Sequence, residues 1–216
     1  MKQLRVFLSY SSRDSLLCGQ LKVALDHLGF QVFLAHEDIN PSEKWQSRIL
    51  EELRRADIFI PVLTRNFPRS DWTDQESGIA IEIGRAKILP LNIHLNPYGF
   101  LAKFQALKTT RSRFPTIGAQ ILSSLVPSLR QRYYKSLVGF LQKSSDLDPL
   151  LAVSLALRSA KSMTKSQANN ILKACIANKR VFLYRGVREN FREFIRNNSK
   201  LLDQPLVAQF QAKLPK

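Results

Sequence analysis

Apolar and polar positions repeat with two different periods over residues 1–93, and the period switches at short intervals. Arg5-Val6-Phe7-Leu8-Ser9-Tyr10 reads as a buried first strand, followed by the polar turn Ser11-Ser12-Arg13-Asp14. Ser15 to Gly29 fits an amphipathic helix with Leu17, Leu21, Leu25 and Leu28 on one face, and Gly29 is placed to stop it. Phe30 to Leu34 predicts a second strand. A polar loop follows over Ala35 to Ser42, and Ser42 is placed to cap a helix from Glu43 to Ala56 with Trp45, Ile49 and Leu53 inward. Asp57 to Leu63 predicts a third strand. Asn66 to Asp71 is a loop broken by Pro68, with Ser70 or Asp71 in position to cap a helix from Trp72 to Ala86. Ile79, Ile83 and Ala86 are that helix's apolar positions, and Lys87 to Ile93 predicts a fourth strand.

Strands that alternate with helices imply βαβ units, a parallel sheet and right-handed crossovers. The expected fold class is α/β, a flavodoxin-like parallel sheet flanked by helices. In such sheets the loops at the carboxyl ends of the strands carry the ligand site. Three polar clusters fall there, Ser9 to Asp14, Ala35 to Ser42 and Asn66 to Glu76, and they are expected to converge on one crevice.

Past Ile93 the pattern changes. His94 to Lys108 is irregular with a turn at Asn96-Pro97-Tyr98-Gly99, Arg111 to Pro115 is basic and loop-like, and Ile117 to Ser124 reads as a helix that closes the α/β domain. The expected division is 1–125 for that domain and 126–216 for a basic, mostly helical C-terminal region. Its helices are predicted over Pro127–Gln142, Asp148–Ala160, Lys165–Asn178 and Arg188–Asn198, with Thr164 and Ser166 resembling capping residues. Val181 to Tyr184 is either a strand or a buried connector.

Charge sharpens this division. The 216 residues carry a net +16 and are 44% apolar, enough for a packed core. Residues 1–100 hold 12 Lys/Arg and 12 Asp/Glu, whereas residues 101–216 hold 21 and 5 and so carry the whole excess. A neutral half therefore precedes a half able to attract nucleic acid, acidic lipid or an acidic partner, or simply to present a solvated basic surface. Cys18 and Cys175 have no metal-ligand spacing and read as reduced thiols of a cytoplasmic protein. The apolar run Val6-Phe7-Leu8 is too short for a signal peptide, and no stretch approaches a membrane span.

The candidate chemistry lies at Trp72-Thr73-Asp74-Gln75-Glu76. Trp72 and Glu76 are four residues apart and share one face of the helix start. An indole beside a carboxylate can hold an aromatic cation and its ribose. The same pair also serves as a packing anchor and a partner for the helix dipole, and both readings stand on spacing alone.

Taken together, these segments resemble a TIR domain of the bacterial type. Val6 to Asp14 is similar to the family's first box. Gly29 to Leu34, followed by Glu37-Asp38-Ile39 and Trp45, resembles the second strand and the BB loop. Ala56 to Thr64 resembles the third strand, and Ser70-Asp71-Trp72-Thr73-Asp74-Gln75-Glu76 is similar to the Ser-x-Trp-x-x-x-Glu motif of enzymatic TIR domains. The four stand in the family's order. The resemblance implies NAD+ as substrate, with no cofactor and no metal, and Glu76 as the catalytic residue that cleaves the bond between nicotinamide and ribose. It casts Trp72 as a stacking surface for a ring, Ser9, Tyr10 and Ser11 as hydrogen-bonding groups for ribose or diphosphate, Arg13 as a phosphate partner and Asp38 as a ribose or loop contact. It also implies self-association, because the BB loop of one domain often completes its neighbour's site. Short TIR proteins of this kind resemble signal-making components of antiphage systems such as Thoeris, whose product acts on a separate effector protein. The alternative is a TIR adaptor without catalysis. Other chemistries lack support: there is no Gly-x-Gly-x-x-Gly, Walker or Gly-x-Ser-x-Gly sequence, and His27, His36 and His94 form no ligand pattern.

Overall fold

The computed structural model describes residues 2–34, 45–158, 160 and 162–215. The chain divides into two compact units. An α/β unit takes in Leu4–Asp26 and Phe30–Phe114, and a helical unit takes in Pro115–Lys216 with Met1–Gln3 and His27–Gly29.

The α/β unit is built on β1 (Arg5–Ser9), β2 (Gln31–Leu34), β3 (Ile58–Leu63), β4 (Lys87–Ile88), β5 (Leu91–Asn92) and β6 (Leu107–Lys108). All pairings are parallel, in the order β2-β1-β3-β5-β6 with β4 also on β3. Three helices connect them, α1 (Ser15–His27), α2 (Trp45–Arg55) and α3 (Thr73–Ile83). Val6, Phe7 and Leu8 are all buried, as are all six residues of β3. Such unbroken burial belongs to a sheet covered on both faces. Register sets Phe7 opposite both Phe33 and Phe59, and their rings meet at 5.2 and 5.7 Å between centroids. Ile49 and Leu53 of α2 and Ala80 of α3 complete the cluster around them. Leu21 and Leu25 of α1 are fully buried, while Leu17 is only half-buried.

Several boundaries differ from the sequence pattern for identifiable reasons. The expected fourth strand over Lys87 to Ile93 is split into β4 and β5. Its register against β3 is unbroken, Ile58 with Lys87 and Val62 with Leu91, so Pro61 and Pro90 occupy matching positions. Neither proline has an N–H, and the ladder lapses where they face each other. Helix α3 stops at Ile83, short of the expected Ala86. Gly84 takes the left-handed conformation, φ 66°, and its N–H closes on the Ala80 carbonyl. The predicted capping by Ser70 or Asp71 is also revised. Trp72 holds the cap position without a side-chain cap, and Ser70 Oγ only approaches the Trp72 N–H at 3.5 Å. Strand β6 lies within the stretch expected to be irregular.

The helical unit contains α4 (Gly118–Ser124), α5 (Pro127–Lys143), α6 (Leu147–Arg158), α7 (Lys165–Ala177), α8 (Arg185–Asn197) and α9 (Gln204–Ala212). Helix α4 packs within this unit. A Cβ at Gly118 would lie 2.6 Å from a methyl of Leu28 and 3.2 Å from Ala156, so glycine permits the approach. Residues 181–184 are a connector, not a strand: a 3-10 turn covers Lys179–Phe182. Asn178 fixes it by donating its amide to the carbonyls of Leu141 (2.6 Å) and Ser144 (2.8 Å). Helix α9 was not predicted. Phe210 holds it, fully buried with its ring 5.2 Å from Phe182 and 6.5 Å from Phe191.

Thr164 caps α7 as expected, and it does so reciprocally. Its Oγ1 accepts the Gln167 N–H at 3.2 Å, and Gln167 Oε1 accepts the Thr164 N–H at 2.9 Å. Thr164→Ala is expected to destabilise the protein by about 1 kcal/mol, with Thr164→Ser near wild type, as read from urea unfolding midpoints.

Candidate active site

Strand β1 lies between β2 and β3, so Ser9 at its carboxyl end lies well inside the sheet. Ser9 is fully buried, and its Oγ donates to Glu76 Oε2 at 2.6 Å. Glu76 reaches this point because the start of α3 is firmly held. Phe67 is buried in the core cluster, and Thr73 Oγ1 donates to its carbonyl at 2.7 Å. Ser77 Oγ donates to the Thr73 carbonyl at 2.7 Å, and Tyr98 OH donates to Asp74 Oδ1 at 2.7 Å. The helix's first turn is thus tied both to the loop before it and to Tyr98.

The electrostatics of Glu76 are unusual. It is 2% exposed. Burial pushes its carboxyl up from 4.5 to about 7, and the Ser9 hydroxyl holds the rise back by hydrogen-bonding the ionised form. Oε1 is buried and has no hydrogen-bond partner among the described residues. A buried carboxylate with one oxygen satisfied and the other bare is costly to keep, and such groups concentrate at functional sites.

The remaining predicted site residues are distributed around this pair. Trp72 sits one helical turn before Glu76, half-buried, and makes an edge-to-face contact with Trp45 at 4.1 Å and 85°. Tyr10 is among the largest fully buried side chains. Ser11 is buried at the head of the 3-10 turn Ser12–Asp14, with its carbonyl accepting the Asp14 N–H at 2.8 Å. Arg13 is exposed. Asp38 lies outside the described residues, as does the whole second polar cluster, Ala35 to Ser42.

Asp14 accepts from Thr64 Oγ1 at 2.5 Å and from Asn66 Nδ2 at 2.9 Å, joining the loop after β1 to the loop after β3. No local spacing signals a bond between residues so far apart in sequence, whereas parallel pairing of β1 with β3 brings their ends together.

Against this geometry, the family model described as "TIR domain" matches residues 6–122. The chain belongs to the TIR domain family. The match begins at the second residue of β1, takes in the rest of the α/β unit and ends within α4. TIR domains in general serve as NAD-cleaving enzymes or as adaptors, and they self-associate. A comparison with curated proteins finds no match. No helix among the described residues is long and apolar enough to cross a membrane.

Proposed function

We propose that this TIR domain protein cleaves the bond between nicotinamide and ribose in NAD+, with Glu76 as the catalytic residue. The observation that carries the proposal is the Ser9–Glu76 pair, a buried, half-satisfied carboxylate at the motif position. Nicotinamide in NAD+ bears a positive ring and leaves without protonation. The ribose then develops oxocarbenium character, which a carboxylate beside the sugar stabilises while hydrogen-bonding its hydroxyls. Oε1 is the oxygen with capacity to spare for that contact. Trp72 offers a ring face for the cationic nicotinamide or for adenine. Ser9, which we place in a positioning role, holds Oε2. Tyr10, Ser11, Arg13 and Asp38 stay in the proposal as contacts to ribose and diphosphate. Capture of the ribose cation by water gives ADP-ribose, and capture by a nucleophile of the same molecule gives a cyclic isomer. Either product suits a second messenger, in antiphage defence, for a separate effector protein.

A carboxylate 2% exposed must be uncovered before it can touch a dinucleotide. The resting form is therefore closed, and assembly through the TIR domain is the proposed means of opening it. Nicotinamide release should rise more steeply than linearly with protein concentration. The same burial favours a second reading, in which Ser9–Glu76 is a closed structural pair and the domain is an adaptor. NAD+ that stays intact at every protein concentration, with homotypic binding retained, selects the adaptor.

The Ser9 hydrogen bond makes its own prediction. Ser9→Ala removes the group that favours the ionised carboxylate, so the pH midpoint of NAD+ cleavage should move further above 7, by about one unit. Activity lost at pH 7 should return by pH 9. An unchanged midpoint would remove Ser9 from the positioning role.

A further inference from the structure

The α/β unit holds a cavity of about 1090 Å3 that neither Ser9, Trp72 nor Glu76 lines. Its wall is delivered by the carboxyl ends of four strands: Asp14 follows β1, Thr64 to Asn66 follow β3, His94 follows β5, and Thr110 to Ser112 follow β6. This is the edge of a parallel sheet at which ligands bind. The cavity is larger than an inorganic ion needs and lies just above the usual range of small-molecule sites, roughly 300 to 1,000 Å3.

Its lining combines two guanidinium groups and an imidazole with apolar side chains. Arg65, His94 and Arg111 border it, all exposed, and none is ion-paired among the described residues. Arg111 is held in place by donating its Nε to Gln20 Oε1 of α1. The hydroxyls of Thr110 and Ser112 lie beside it, 3.0 Å apart. Asp14 is the one carboxylate among the lining residues, and both its oxygens are engaged by Thr64 and Asn66. Leu17 and Ile93, each half-buried, supply an apolar wall. Guanidinium groups recognise phosphate by paired, charge-assisted hydrogen bonds. An apolar wall within the same cavity selects a phosphate that carries a ring.

We propose that this cavity is a second ligand site and that it takes a nucleoside phosphate. The phosphate lies among Arg65, His94 and Arg111, and the base lies against Leu17 and Ile93. The site uses none of the residues that carry NAD+ cleavage, so it stands or falls independently of that reading.

The test is calorimetric titration of the 216-residue chain with AMP, alongside inorganic phosphate. Wild type and Glu76→Gln should bind AMP equally. Arg65→Gln and Arg111→Gln should each weaken AMP binding by roughly tenfold or more, and inorganic phosphate should bind at least about tenfold more weakly than AMP. Both arginines are exposed, and matching melting temperatures will check the fold of the variants. In labelled wild-type protein, AMP should shift the amide resonances of Thr64 to Asn66 and Thr110 to Ser112. Absence of AMP binding, undiminished binding by both arginine variants, or loss of binding in Glu76→Gln alone would overturn the site. Phosphate binding as tightly as AMP would overturn the nucleoside assignment.

Discussion

Glu76→Gln should stabilise the protein at pH 8 and leave its stability unchanged at pH 4. In the unfolded chain this carboxyl titrates near 4.5, and in the folded chain near 7. Between those values the folded state binds more protons than the unfolded state, so stability falls as pH rises. Below pH 4.5 the group is protonated in both states and the burden vanishes. Above pH 7 it is ionised in both, and the full cost of burying the charge applies. A shift of this size corresponds to about 3 kcal/mol. Glutamine resembles the protonated acid, and its carbonyl still accepts from Ser9. Thermal unfolding across pH 4 to 8 should therefore show the two melting curves diverging as pH rises, by several degrees at the upper end. A constant offset at every pH would mean that Glu76 carries no buried charge.

The same substitution should remove catalysis. An amide keeps the shape of the side chain and loses the negative charge that faces the ribose cation. Preorganised electrostatic contacts of this kind are worth roughly 10^2 to 10^3 in rate, and a full charge directly at the sugar belongs at or above the top of that range. Initial rates of nicotinamide release at pH 8 should fall by about 10^3-fold. In wild type the rate should climb through about pH 7 and level off above it, because the ionised carboxylate is the active form. A gain in stability joined to a loss of activity at one residue is the signature of strain kept for function.

Much of this site was legible before the structure. The switching of period between strand and helix gave the α/β order, and four motif segments in sequence carried the family. Trp72 and Glu76 share the helix start as their spacing required. What was not legible depends on contacts distant in the chain. Ser9 was expected to face the substrate's diphosphate or ribose, and its hydroxyl also has a protein partner, Glu76, that only the packing of α3 against the end of β1 could reveal. The break between β4 and β5 comes from Pro61 meeting Pro90, which appears only once the register is known. Strand β6 is two residues long and has no period to detect. Helix α9 buries Phe210 alone, too narrow an apolar stripe to announce a helix. Gly84, by contrast, stands in the sequence as a stop for α3.

The most direct measurement is to incubate wild type and Glu76→Gln side by side with NAD+ at pH 8, at high protein concentration, and to separate the products by chromatography. Wild type should release nicotinamide with ADP-ribose or its cyclic isomer, while the folded variant leaves NAD+ intact. Equal release by both proteins, or none by wild type, would contradict a catalytic Glu76.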